Sequence, residues 1–271
     1  RLLPSPWLDA VECNRAYLLS LEADRLLHNF RKQAGLPPKG ALYGGWESDT
    51  IAGHTLGHYL SALALMYAQT GDGACRARVA YIVQELAVVQ GRWGDGYIAG
   101  FTRKEKDGAV VDGKRIFAEI EAGDIRSSGF DLNGAWSPLY NLHKTFAGLF
   151  DAHIHCQCNQ ALEVAVGLGE FLEAFFGKLT DAQVQKVLTC EYGGLNESFA
   201  ELAARTGDEK WLRLASRIYD RPVLDPLMEE RDDLANRHAN TQIPKLIGLE
   251  RIAEVSQNRH WMTGPEFFWK A

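Results

Sequence analysis

The sequence predicts an all-α fold, an (α/α)6 toroid of helical hairpins that is incomplete, with about four of six hairpins present. Three observations predict it. Apolar residues recur at helical spacing through most of the 271 residues. The helices come in pairs joined by short polar turns, among them Thr70-Gly71-Asp72, Cys158-Asn159, Thr206-Gly207-Asp208 and Ser256-Gln257-Asn258. The first helix of each pair opens on unusual polar residues, whereas the second is simply amphipathic. That asymmetry suits an inner ring of helices whose N-terminal ends face one cavity, with an outer ring packed around it. A helical solenoid would leave the same polar residues on an open concave face. Inner-type helices begin near residues 53, 140, 195 and 241, so the chain as given stops about two hairpins short of a closed ring.

Taken in order, Leu18, Leu19, Leu26, Leu27 and Phe30 predict one long helix over 8–34, ended by Gly35-Leu36-Pro37-Pro38. The stretch Gly44-Gly45-Trp46-Glu47-Ser48-Asp49 is a glycine-rich loop that leads into a helix carrying His54 and His58. Four residues apart, these histidines share one face. Gly53 and Gly57 leave room beside them. A second helix runs from about Cys75 to Gln90. Residues 91–138 form a long irregular connection, with a short strand pair placed around Val110-Val111 and Ile116-Phe117. Helices then follow over Leu139–His155, Ala161–Phe176, Thr180–Leu188, 195–206, Trp211–Tyr219, 241–256 and Trp261–Trp269.

Composition narrows the partners. The chain is 46% hydrophobic and 24% charged, with a net charge of −6. No basic stripe exists to neutralise phosphates, so neither nucleic acid nor an anionic membrane is expected. No apolar run reaches the ~18 residues a membrane helix needs. Arg1 is not a start methionine, and the chain reads as trimmed at its N-terminus. Localisation is left open: periplasmic or secreted if an upstream signal was removed, otherwise cytoplasmic. Five cysteines form no CxxC pair, and a disulfide framework is not expected. Cys156-x-Cys158 lies near His153 and His155 but lacks a second ligand pair at zinc-site spacing. No metal is assigned to this chain.

The polar, aromatic and acidic cluster at the mouth of a buried helix suits a polar small molecule, a sugar above all, whose apolar ring face would lie on an aromatic side chain. Against that stand plainer roles. The histidines could be satisfied core residues, His143 could cap a neighbour, and Asn196-Glu197 could cap a helix. Asp95, between two glycines, reads as a turn residue. Glu191 is the best remaining acid, and the Glu229–Asp233 run reads as a solvated helix end.

Six ordered segments carry a family resemblance: Tyr43-Gly44-Gly45-Trp46-Glu47, the run Gly53 to Ala62, Gly94-Asp95-Gly96-Tyr97, Tyr140-Asn141-Leu142-His143-Lys144, Gly193-Gly194-Leu195-Asn196-Glu197 and His238 to Lys245. Together they resemble the β-L-arabinofuranosidase family of glycoside hydrolases (family 127 type, formerly a domain of unknown function), over essentially the whole chain. The resemblance implies residues 1–271 as a single partial (α/α)6 catalytic domain, the N-terminal part of the barrel, acting on arabinofuranose-type plant or glycoprotein sugars. It implies a retaining mechanism in full-length relatives, with a zinc-bound cysteine thiolate as nucleophile and a glutamate as acid/base.

Those catalytic motifs do not occur within residues 1–271, so no catalytic residue and no cofactor is assigned here. Zinc is expected in full-length relatives through residues beyond 271. What carries over is substrate binding: Trp46, Glu47, His54, His58, Tyr140, His143, His238 and Gln242, with His54, His143 and His238 expected to line one concavity. The alternatives are a carbohydrate-binding α-toroid without catalysis, or another α/α-toroid enzyme such as an unsaturated-uronyl hydrolase or polysaccharide lyase. A partial ring should also leave Ile243, Leu246, Ile247 and Leu249 partly in water, inviting self-association or cover by further C-terminal segments.

Overall fold

The computed structural model describes residues 2–270. The helices are α1 Pro6–Ser20, α2 Ala23–Leu26, α3 His28–Gln33, α4 His54–Thr70, α5 Gly73–Trp93, α6 Arg115–Glu121, α7 Pro138–Cys156, α8 Asn159–Gly177, α9 Asp181–Val187, α10 Leu195–Thr206, α11 Lys210–Arg217, α12 Arg221–Met228, α13 Ala239–Ser256 and α14 Thr263–Lys270. Five short strands (β1 Thr102–Lys104, β2 Val110–Asp112, β3 Ser127–Ser128, β4 Asp131–Leu132 and β5 Ala135–Trp136) interrupt an otherwise helical chain. The fold is therefore all-α, as the periodicity predicts. The chain forms two compact units, one of residues up to Thr102 with Lys144–Phe171, the other of Arg103–His143 with Leu172 onward.

In the first unit α4 and α5 make a hairpin whose turn is written in the sequence. The Gly71 N–H donates to the Tyr67 carbonyl at 2.7 Å and ends α4. Asp72 then caps α5, accepting from the Ala74 and Cys75 amides at 2.7 and 3.2 Å. Leu56, Leu60 and Leu63 of α4 and Val79, Ile82 and Val83 of α5 are buried in the core. Each is worth roughly 1.5–3 kcal/mol. Gly57 brings α4 against the Lys144–Cys156 part of α7: a Cβ there would overlap the Lys144 carbonyl and lie 2.8 Å from the Thr145 nitrogen.

The single helix expected over 8–34 is instead α1, α2 and α3. The break falls at Leu21, whose backbone is extended (ψ 141°). Tertiary partners hold it there. The Tyr59 hydroxyl donates to the Leu18 carbonyl at 2.7 Å, and Arg78 donates to the Leu21 carbonyl.

In the second unit the connection before α7 is more ordered than the sequence suggests. β1 pairs with β2, and β3, β4 and β5 form an antiparallel meander with Ser128 opposite Asp131 and Leu132 opposite Ala135. Ile116 and Phe117, expected in a strand, lie in α6 and are buried. Asn133 holds the meander together, donating from Nδ2 to Glu119 and to the Asp124 carbonyl, each at 2.9 Å.

Further along, Thr180 and Gln183 close a capping box on α9. The exposed Glu229–Asp233 run follows the end of α12, as its reading as a solvated helix end expects, though the helix itself was not placed; its first turn carries Pro222, which has no amide hydrogen to leave unpaired. α10 packs on α11 and α13. Phe199 stacks on Trp211 at 6.4 Å, and the buried Lys245 pairs with Asp220 at 2.6 Å.

The outer face of α13 meets the expectation in part. Ile243 and Ile247 are 41% and 45% exposed, but Leu246 and Leu249 are buried. The two exposed isoleucines line a groove of about 640 Å³ with Met262, Phe268 and Trp269.

Candidate functional site

Two polar clusters form where the sequence places its unusual residues, one in each unit. In the first unit the chain turns through a short 3-10 segment, Gly45–Ser48, before α4. Trp46 is displayed, 65% exposed, and its ring lies 5.9 Å from that of His54. Glu47 turns inward and is buried. Its carboxylate accepts from the Gly53 N–H at 2.9 Å and the Thr55 N–H at 3.4 Å. An anion seated on the first amides of a helix is electrostatically favoured, so Glu47 anchors the start of α4.

His54 Nδ1 lies 3.0 Å from the Ile51 carbonyl and 3.4 Å from a Glu47 oxygen. Both of those are acceptors, so Nδ1 carries a hydrogen. His58 shares the face as expected, edge-on to His54 at 6.0 Å, but is exposed where His54 is buried.

The second unit holds Tyr140 and His143 on the first turns of α7, the Glu191–Glu197 segment leading into α10, and Thr241 and Gln242 on the first turn of α13. The Gly194 N–H donates to His143 Nδ1 at 3.0 Å. An amide can only donate, so Nδ1 is the acceptor and the hydrogen of the neutral ring sits on Nε2. That nitrogen lies 3.7 Å from a Glu197 carboxylate oxygen. His143 thus does cap a neighbour, and in doing so its donor edge is fixed. Gly193 (φ +59°) permits the approach, since a Cβ there would lie 2.5 Å from His143 Nδ1 and 3.3 Å from Tyr140 Cδ2.

The capping role weighed for Asn196 and Glu197 is not theirs: Gly194 is the N-cap residue of α10, and neither of their side chains caps that helix. Asn196 is buried and donates to the Lys245 carbonyl at 2.9 Å. Glu197 remains half-exposed beside His143. Asp95, in the first unit, accepts from the Tyr97 amide at 3.3 Å, a turn contact.

Glu191 is buried, and its two oxygens accept from the Ser137 hydroxyl at 3.3 Å and the Thr241 hydroxyl at 3.1 Å. Burial, reinforced by the Glu191 charge, raises the Tyr140 phenol above its ordinary pKa. Gln242 is also buried, and its Oε1 has no hydrogen-bond partner among the described residues. His238 is exposed at the start of α13, edge-on to Phe130 at 6.2 Å. Sequence reasoning missed Ser137 and Thr241. A Ser-Pro pair opening a helix and a hydroxyl inside Asn-Thr-Gln were the available signals.

Cys156 and Cys190 do not fit a zinc–thiolate centre. Burial pushes the Cys156 thiol up to about 11 and raises that of Cys190 further, the reverse of what a thiolate ligand requires. Among the described residues no three His, Cys, Asp or Glu side chains gather as a metal site.

The class of fold follows from a solved structure. Over 100% of its length the chain is similar to Ara127N, a GH127 β-L-arabinofuranosidase from Geobacillus stearothermophilus T6, with a TM-score of 0.64 at 13% identity. It spans 44% of that chain. The likeness is one of helical fold. The family model for the β-L-arabinofuranosidase GH127 catalytic domain matches residues 1–271, and the chain belongs to that family. The comparison with curated proteins gives no match.

Proposed function

We propose that residues 1–271 carry the substrate-binding part of a glycoside hydrolase domain that acts on β-L-arabinofuranosides. The observation that carries this reading is the His143 arrangement. A backbone amide fixes the ring so that an N–H donor points away from the cap, beside a half-exposed carboxylate, Glu197, while the ring of half-buried Tyr140 lies by Gly193. Donor, carboxylate acceptor and phenol together match the alternating donors and acceptors of sugar hydroxyls. Trp46 offers an exposed aromatic face and His54 a ring held by its Nδ1 hydrogen bond, each suited to a sugar ring. Within each unit supporting contacts are assigned, to His58 beside Trp46 and His54 in the first and to His238 and Gln242 in the second.

In the family's retaining mechanism the nucleophile and the acid/base come from motifs that residues 1–271 do not contain. The isolated chain should therefore bind methyl β-L-arabinofuranoside and leave p-nitrophenyl β-L-arabinofuranoside intact. Loss of such groups typically removes several orders of magnitude in rate. Turnover abolished by substituting a residue within 1–271, or no measurable glycoside binding, would overturn the proposal.

A further inference from the structure

Glu191 has no role in the family resemblance, yet its setting is unusual for a structural carboxylate. It is 7% exposed, and removing a carboxylate from water is costly unless a cation or several donors compensate. The buried cation on α13, Lys245, is committed to Asp220 at 2.6 Å. Glu191 instead meets two neutral hydroxyls, one on each oxygen, at 3.3 Å from Ser137 and 3.1 Å from Thr241. An ionised carboxylate offers about four lone-pair sites, so two hydroxyls leave about half of that capacity unused.

The surroundings continue the pattern. Gln242, next to Thr241, keeps an Oε1 without a donor although only 8% exposed. Ser137 is held in a left-handed backbone conformation (φ +43°) that a serine adopts at a cost and that is concentrated at binding sites. Tyr140 lies within the field of the Glu191 charge. A buried acceptor with capacity to spare, an acceptor oxygen lacking a donor and a strained support describe a place that lacks donors.

Adjacent sugar hydroxyls supply two donors, and each carboxylate oxygen has a lone pair to accept one. We infer that Glu191 is a sugar-binding carboxylate that accepts hydrogen bonds from the neighbouring C2 and C3 hydroxyls of the furanose ring, with Gln242 Oε1 accepting from the same sugar. The inference rests on the proposed function. A purely structural Glu191 would only tie the first turn of α13 to the segment before α7.

Ligand-side deletions separate the two roles. Calorimetric titration of the 271-residue chain with methyl β-L-arabinofuranoside and its 2-deoxy and 3-deoxy analogues is compared between wild type and Glu191→Gln. The variant should weaken the parent glycoside by roughly 10–100-fold, the range expected for hydrogen bonds to a charged group. The deoxy analogues, already weakened, should lose less than 3-fold. Equal loss for all three ligands, or no loss for any, overturns the inference while leaving the proposed function standing. Failure of the wild type to bind the parent glycoside overturns both. If Glu191→Gln does not melt cooperatively, Glu191→Asp, which keeps the charge and shortens the reach, carries the same expectation and the same refutation.

Discussion

Replacing Gly193 by alanine tests whether the His143 ring sits where the Gly194 amide puts it. Two effects add. The backbone is left-handed at φ +59°, where an L side chain costs about 1–2 kcal/mol, offset by up to about 1 kcal/mol from the stiffer unfolded chain. The new Cβ would also lie 2.5 Å from His143 Nδ1, so the imidazole must retreat by about 1 Å to reach ordinary contact. That displacement stretches a 3.0 Å bond beyond use and strands a buried N–H, at about 1–3 kcal/mol. Gly207→Ala is the control, because φ is +72° with nothing within 4 Å of the added methyl. Urea unfolding followed by far-UV circular dichroism should give about 1 kcal/mol for Gly207→Ala and about 2–4 kcal/mol for Gly193→Ala. Equal losses would refute the seating of His143 and with it the fixed donor edge.

Trp46→Ala should weaken arabinofuranoside binding by roughly 5–50-fold with little change in melting temperature, since the side chain is 65% exposed; a melt lowered as much as the affinity would make it a packing residue. Burial raises the phenol pKa of Tyr59, Tyr140, Tyr192 and Tyr219. The fold favours their neutral forms, so that stability is whole below the unfolded pKa of about 10 and lost as pH rises through the folded values. Absorbance at 295 nm should show part of the nine tyrosines ionising only as ellipticity is lost, and all nine titrating near pH 10 with ellipticity intact would contradict this. At pH 8 a thiol reagent should label Cys13 rapidly and leave the buried Cys75, Cys156 and Cys190 until urea is added. Fast labelling of all five native thiols would contradict the packing.

The helix starts were legible because the chain punctuates them. Expected near 53, 140, 195 and 241, they fall at His54, Pro138, Leu195 and Ala239, each beside glycine, proline or a polar run. The break at Leu21 was not legible. No glycine or proline marks it, and the contacts that hold it come from Tyr59 and Arg78 far along the chain. α6 was misread because Ile116-Phe117 is too short an apolar run to reveal its period. At the candidate site, residue types were readable but orientations were not. Whether Glu47 faces out to a ligand or in toward the Gly53 amide depends on where the 3-10 turn places its Cα. Which nitrogen of His54 or His143 carries hydrogen depends on a backbone partner that the sequence does not name.

The central claim, that the second turn of α7 presents a sugar-reading histidine, is most directly tested by nitrogen-15 NMR of the histidine rings. The account predicts His143 as the Nε2–H tautomer with Nδ1 accepting, and a shift of its Nε2 resonance on titration with methyl β-L-arabinofuranoside but not with methyl β-D-glucopyranoside. An Nδ1–H tautomer, or a His143 signal unmoved at saturating arabinofuranoside, would contradict it.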